Sequence, residues 1–103
     1  MKLDESNLRV SKIGTFYRLN IMMPDGSNNY LHSRNYNLES ILIIRDLLLD
    51  QEFGSDSLAV VEDGQYFRIH LTVFDINGEN YEFHSRKLNL NDAVFERMQL
   101  IIT

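Results

Sequence analysis

Apolar and polar residues alternate along two long segments of the chain, and this period of two predicts β-strands. One face of the first segment carries Tyr17, Leu19, Ile21 and Met23, and one face of the second carries Phe67, Ile69, Leu71 and Val73. A shorter apolar–polar stretch precedes each segment, and turn residues follow it at Pro24-Asp25-Gly26 or Asn77-Gly78. A third strand is predicted at about residues 29–34 and again at about 81–86. Each half of the chain therefore predicts three antiparallel strands.

A helix is predicted to close each half, with Asn37 and Asn89 as N-cap residues. The first helix carries two apolar stripes, one of Leu38, Ile41, Leu42, Leu48 and Leu49 and one of Ile43, Ile44 and Leu47. Two stripes predict burial on two sides. We expect one side to pack on the sheet and the other to meet the second helix through Phe95, Met98 and Ile102.

The two halves also resemble each other residue by residue. Residues 14–19 match residues 64–69, and His32-Ser33-Arg34 matches His84-Ser85-Arg86. The only change in length, two residues, falls in the turn after Met23 or Val73. This order predicts an α+β fold in which tandem β-β-β-α repeats, about 7–53 and 57–103, form a single domain over 1–103 around a pseudo-two-fold axis. We expect one antiparallel sheet, with the two helices packed together on one side of it, and a monomer that is a pseudo-dimer.

Composition narrows the class of protein. The 103 residues include no Cys, which excludes a disulfide framework, a thiolate zinc site and a thiol nucleophile. No apolar run approaches the roughly 20 residues of a membrane helix, and the acidic start has no apolar signal stretch, so a cytoplasmic protein without a membrane partner is expected. The formal net charge of −5 argues against direct binding of nucleic acid. The net charge is −4 for the residues beyond 54 and −1 for those up to 54. This difference indicates either an acidic recognition surface or drift after duplication.

No group of residues predicts catalysis or a cofactor. His32 and His84 occupy matching outward positions, with His70 on a neighbouring strand, and together with Glu82 they could in principle bind a metal. Their spacing matches no metal motif, so inherited sheet-face residues are the simpler interpretation. Adjacent strand residues point to opposite faces, so the serines beside these histidines do not form a nucleophile–base pair with them. The sequence therefore predicts a protein that is not an enzyme and has no metal or cofactor.

The outward sheet face offers candidate interface residues. It carries Phe16, Arg18, Tyr30, Tyr66, Arg68 and Glu82. Aromatic and Arg side chains are typical interface anchors, but a half-solvated sheet face commonly carries the same mixture. Both interpretations stay open at this point.

The second half resembles a known family. The runs Tyr66-Phe67-Arg68-Ile69-His70-Leu71, Asp75 to His84, and Leu88-Asn89-Leu90-Asn91-Asp92 are similar to the small uracil-DNA glycosylase inhibitor of short-tailed Bacillus phages. Members of that family are β-β-β-α homodimers. The resemblance implies that this chain is a host-takeover phage protein of the host cell cytoplasm, with the homodimer fused into one chain.

The family mechanism implied by the resemblance is DNA mimicry. Acids occupy the DNA-binding groove of uracil-DNA glycosylase, and an apolar pocket sequesters the leucine that the enzyme inserts into the minor groove. Glu82 and Asp92 match acids of the family, and Glu79 and Glu96 complete the predicted set of partner-binding acids. The pocket would be rebuilt from Ile41, Ile44, Tyr81, Phe95 and Met98. The sequence departs from the family after Asp92, where Ala93-Val94 replace an aromatic residue and Glu.

Two alternatives share the same small, acidic, enzyme-less profile. One is a phage inhibitor of another host nucleic-acid enzyme or defence nuclease, similar to an anti-CRISPR protein. The other is a non-enzymatic protein-interaction module that does not imitate DNA. Binding by a DNA mimic should weaken as salt rises, whereas binding by such a module should respond little to salt.

Overall fold

The computed structural model describes residues 1–22 and 30–102 of the chain. Its described residues form an α+β fold with six strands and two α-helices. The elements are β1 Leu8–Ile13, β2 Phe16–Met22, β3 Tyr30–His32, α1 Leu38–Leu49, β4 Leu58–Asp63, β5 Tyr66–Phe74, β6 Asn80–His84 and α2 Leu90–Ile102. A short 3-10 helix, Glu5–Asn7, precedes β1. Met23, the predicted turn at residues 24–26 and the predicted start of the third strand at residue 29 lie outside the described residues.

All six strands belong to one antiparallel sheet with the order β1-β2-β3-β6-β5-β4. The short strands β3 and β6 lie at the centre and pair at His32 and His84. The prediction of a single antiparallel sheet is thus confirmed. The pairing of these two strands joins the two halves of the chain through backbone hydrogen bonds.

One face of the sheet is the core face. The fully buried strand residues on it are Leu19, Ile21, Leu31, Ile69, Leu71, Val73 and Phe83. They form one hydrophobic cluster with Ile41, Ile44 and Leu48 of α1 and with Ala93 and Leu100 of α2. Because alternate strand residues point to opposite faces, both helices pack on this face. The opposite face, called the open face below, carries the other set of strand side chains.

The prediction that the apolar sides of the two helices contact each other is wrong. The buried residues of α1 are Ile41, Ile44 and Leu48, which form one stripe rather than two, and Ile43 is 53% exposed. Phe95 and Ile102, which were expected to meet α1, are 63% and 67% exposed. Instead, α1 lies against β2 and β5, and α2 lies against β4 and β5. The sheet supplies the apolar partner of each helix, and Met1, Leu3 and Phe53 also fill the core.

The halves use matching local structures. Shifting the β1–β2 register, from Leu8↔Ile21 to Ile13↔Phe16, by fifty residues reproduces the β4–β5 register. Both hairpin turns have a glycine with positive φ, 62° at Gly14 and 63° at Gly64, a conformation that favours glycine. The predicted N-caps are confirmed, because the Asn37 and Asn89 Oδ1 atoms accept the Ser40 and Asp92 N–H groups, each at 2.8 Å.

A serine directly follows the third strand of each half, Ser33 after β3 and Ser85 after β6. The Leu19 N–H donates to Ser33 Oγ, and the Ile69 N–H donates to Ser85 Oγ, both at 2.9 Å. Each hydroxyl in turn donates to the carbonyl of the next residue, Arg34 or Arg86, at 2.7 and 2.8 Å. The side chain here takes the place of a backbone acceptor, so β3 and β6 are shorter than the sequence pattern predicts.

We expect Ser33→Ala and Ser85→Ala each to lower the free energy of unfolding by about 1–3 kcal/mol, because each leaves a buried backbone N–H without an acceptor. Urea denaturation measures the change. Ser55→Ala, at an exposed position, is the control and should change it by about 0.5 kcal/mol or less. Equal stability of Ser33→Ala and Ser55→Ala would contradict this role.

Candidate functional site

The helix layer exposes a group of apolar side chains, called the helix surface below. It consists of Leu38, Leu42 and Ile43 on α1 and Leu90, Val94, Phe95, Met98 and Ile102 on α2. On α2, Phe95, Met98 and Ile102 follow one another at helical spacing on the side away from buried Ala93 and Leu100. Because these three side chains share one exposed side of α2, they are the candidate for an interaction surface.

Two predicted acids lie on α2, in different environments. Asp92 is exposed in the first turn, where its Oδ2 accepts the Asn89 side-chain amide at 2.9 Å. Glu96 has a side chain only 19% exposed, and its Oε1 lies 3.3 Å from Arg86 Nη2. Asp92 can therefore contact a partner at the helix surface, whereas the Glu96 carboxylate is paired within the chain.

The other two predicted acids lie elsewhere. Glu82 is exposed on β6 beside fully buried Phe83, so its side chain projects from the open face. Glu79 is exposed at the β5–β6 turn, where its Oε2 lies 3.5 Å from the Tyr81 hydroxyl. The sheet separates Glu82 from Asp92, so the predicted acids do not share one surface.

The five predicted pocket residues have different degrees of burial. Ile41 and Ile44 belong to the core, whereas Phe95 and Met98 are exposed. Tyr81 is half-buried, and its ring packs edge-on against Tyr36 with 6.3 Å between centroids. The structure does not bring these five side chains together at the surface, since the aliphatic pair is already covered by the sheet.

The open face carries a row of polar side chains across its four central strands. Asn20 on β2, His32 on β3, His84 on β6 and His70 on β5 are successive cross-strand partners. The rings of His70 and His84 lie 5.9 Å apart, as the sequence pattern suggested. No group of three or more His, Asp or Glu side chains among the described residues is placed to hold a metal ion.

Burial and nearby cations disfavour protonation of two histidines in this row, His32 and His84. Burial, and then the charges of Arg18 and Arg68, lower the pKa of His32. The same two causes, burial first and then positive charge, lower the pKa of His84. The charged and titratable groups around His84 are Arg18, His32, Arg34, Glu62, Asp63, Arg68, His70 and Glu82. Both imidazoles are therefore neutral at neutral pH.

Two shallow cavities flank the row. The first, about 260 Å3, is lined by Arg9, Ser11, Asn20, Tyr30 and His32. The second, about 410 Å3, includes His70 and His84 together with Arg34, Arg68, Asp63 and Glu82. The sequence-based predictions did not include Arg9 and Ser11, although their alternate positions in β1 place them on one face.

A scan of protein-family models and searches of curated proteins and of solved structures give no match to this chain. None of the helices in the described part of the chain is long and apolar enough to cross a membrane.

We expect His32 and His84 to titrate below the ordinary histidine pKa of about 6.5. Because the unfolded chain then binds more protons, the free energy of unfolding should fall as the pH drops through about 6.5. NMR titration of the imidazole C–H signals gives the midpoints, and urea unfolding at neutral and mildly acidic pH gives the stability. The pH dependence should shrink in His84→Gln, and midpoints above the ordinary value would contradict the environment described.

Proposed function

We propose that this chain is a protein inhibitor that docks its helix surface on the DNA-binding groove of an enzyme. Uracil-DNA glycosylase is the target that the family resemblance implies. The observation that carries the proposal is the exposed apolar side of α2, where Phe95, Met98 and Ile102 are all close to half exposed or more, with exposed Asp92 at its start. This combination suits a groove that is basic and also carries an apolar side chain.

Charge supports a basic target. The formal net charge is −5, and the two helices carry the exposed acids Glu39, Asp46 and Asp92. Their two arginines are occupied within the chain, because Arg45 pairs with Glu5 at 2.9 Å and Arg97 Nε donates to the Leu58 carbonyl at 2.8 Å. With Glu96, the two helices carry four acids against two arginines, so the helix layer has a net negative charge, which accelerates association with a basic groove.

The apolar part of the docking uses side chains that are already at the surface. Phe95 and Met98 lie one helical turn apart and offer an aromatic ring and a flexible thioether. A leucine from the enzyme packed against them would contribute about 1.5–3 kcal/mol if fully buried. The proposal thus replaces the pocket lined by Ile41 and Ile44 with a surface on α2.

We further propose that the chain is a fused pseudo-dimer of two tandem repeats. The matching registers, the paired serines Ser33 and Ser85, and the paired caps Asn37 and Asn89 support this. The junction of the halves supports it too. His32 pairs with His84, and an isologous contact about a two-fold axis places equivalent residues opposite each other in this way.

Another nucleic-acid enzyme, such as a defence nuclease, is the second candidate target. The position of Glu82 favours this second target. Glu82 matches a functional acid of the family, but it projects from the open face and does not lie beside Asp92. An acidic docking surface arranged differently from that of the family suits a different groove.

We expect Phe95→Ala to weaken inhibition of uracil-DNA glycosylase by about tenfold or more, because central interface aromatics contribute 2 kcal/mol or more. The assay is excision of uracil from a DNA substrate with titrated inhibitor. Ile76→Ala is the matched control, since Ile76 is 98% exposed but lies in the β5–β6 turn. A lack of inhibition by the natural chain at stoichiometric excess would eliminate this target.

Charge-neutralising variants identify the face that docks. Asp92→Asn should weaken binding and reduce its salt dependence, whereas Glu82→Gln should leave both nearly unchanged. Binding to the immobilised enzyme at several salt concentrations measures both quantities. The reverse result would move the docking surface to the open face.

A further inference from the structure

The two cavities on the open face occupy matching positions but differ in charge. Ser11 and His32 in the first correspond to Val61 and His84 in the second. The second cavity contains the acids Glu62, Asp63 and Glu82. None of the described residues that line the first is acidic, and Arg9 contributes a positive charge.

The arginines beside the two cavities also differ, in whether their guanidinium groups have partners within the chain. Arg68 Nε donates to Asp63 Oδ2, and its Nη1 donates to the Ser85 carbonyl, both at 2.6 Å. Arg18 occupies the matching position in β2, but its Nε is buried and has no hydrogen-bond partner in the described part of the chain. Ile13 stands across the hairpin where the second half has Asp63. Among residues 1–22 and 30–102, Arg18 therefore has no acid partner corresponding to the one that pairs with Arg68.

Two of the acceptors around the first cavity, Asn20 Oδ1 and Ser11 Oγ, are already in use. Asn20 Oδ1 lies 2.6 Å from His32 Nδ1, and Asn20 Nδ2 donates to Ser11 Oγ at 2.8 Å. In the described part of the chain, the Ser11 hydroxyl hydrogen and the Arg9 guanidinium have no acceptor, so both can donate to a ligand in the cavity. Arg18 is the cross-strand partner of Ser11 and places a further positive charge beside them. A site that offers mainly donors and positive charge selects an anion that is rich in acceptors.

We propose that the first cavity is a binding site for a phosphate group, held by Arg9 and the Ser11 hydroxyl, which line it, with the charge of Arg18 on the neighbouring strand. A phosphate has more acceptor oxygens than a carboxylate, which matches donors that converge from two strands. Arginine forks are well suited to such oxyanions. The volume of about 260 Å3 accommodates the group together with part of the molecule that carries it.

The neighbouring histidine responds to the ligand. Burial and the Arg18 charge now lower the pKa of His32, and a bound anion would oppose the second effect. The His32 titration midpoint should therefore rise when phosphate binds. The titration midpoint of His32 therefore reports on binding at the site. It would not change with phosphate if Arg18 had a purely structural role.

The experiment is an NMR titration of the full chain with inorganic phosphate at constant ionic strength, followed by a mononucleotide and a single-stranded oligonucleotide. We expect shifts at Ser11, Arg18 and His32, with saturation at millimolar phosphate or below. Arg18→Gln should weaken binding by about tenfold or more, because hydrogen bonds to charged groups contribute about 1.5–3 kcal/mol. Arg68→Gln is the matched control and should keep the affinity within about twofold, as Arg68 is satisfied internally.

A second variant separates binding from folding. Ile13→Asp installs the acid that the other half has, so it should pair with Arg18, preserve the fold and weaken phosphate binding as strongly as Arg18→Gln does. Tighter binding of the oligonucleotide than of the free ions would identify a phosphodiester as the source of the group, and equal binding of phosphate and mononucleotide would identify a free phosphate. No saturable shift at Ser11 and His32, or equal losses in Arg18→Gln and Arg68→Gln, would overturn the proposal.

Discussion

The pairing of β3 with β6 is the contact on which the rest of the structure depends. Each half of the chain has about fifty residues. A core of that size would give a separate half only marginal stability. The junction at His32 and His84 joins the two three-stranded units into one sheet. Only this wider sheet offers a continuous apolar face on which both helices bury their stripes.

The same junction divides the surface into two faces with different chemistry. The helix layer is acidic and exposes the apolar side chains around Phe95, whereas the open face concentrates arginines and all three histidines. The net charge of −5 therefore averages two unlike surfaces. A protein partner docked on the helices and a phosphate group bound on the open face would not compete for space, since the sheet lies between them.

Much of the fold could be predicted because its signals are local. The alternation in β2 and β5, the glycines at positions 14 and 64, and the caps Asn37 and Asn89 each act within a few residues. Which side of α1 is buried could not be predicted in the same way, and the prediction of burial on two sides was wrong. An apolar stripe shows that a side chain favours burial, but the space above the sheet decides which side chains are covered, and Ile43 and Phe95 stay exposed.

The candidate sites show the same limit at the level of single residues. The resemblance carried by residues 66–92 indicated which acids to consider, but the pleat of β6 places Glu82 on the opposite face from Asp92. Nor does the sequence around Arg18 show that no acid in the described part of the chain pairs with its guanidinium. The presence of an acid beside the arginine depends on the register of each hairpin. Ile13 lies opposite Phe16 in the first hairpin, and Asp63 lies opposite Tyr66 at the matching place in the second. The sequence by itself determined the strands, turns and caps, because these depend on neighbours along the chain. The tertiary structure alone decided which apolar residues stay exposed and which arginine pairs with an acid, because both depend on residues that meet only in the folded sheet.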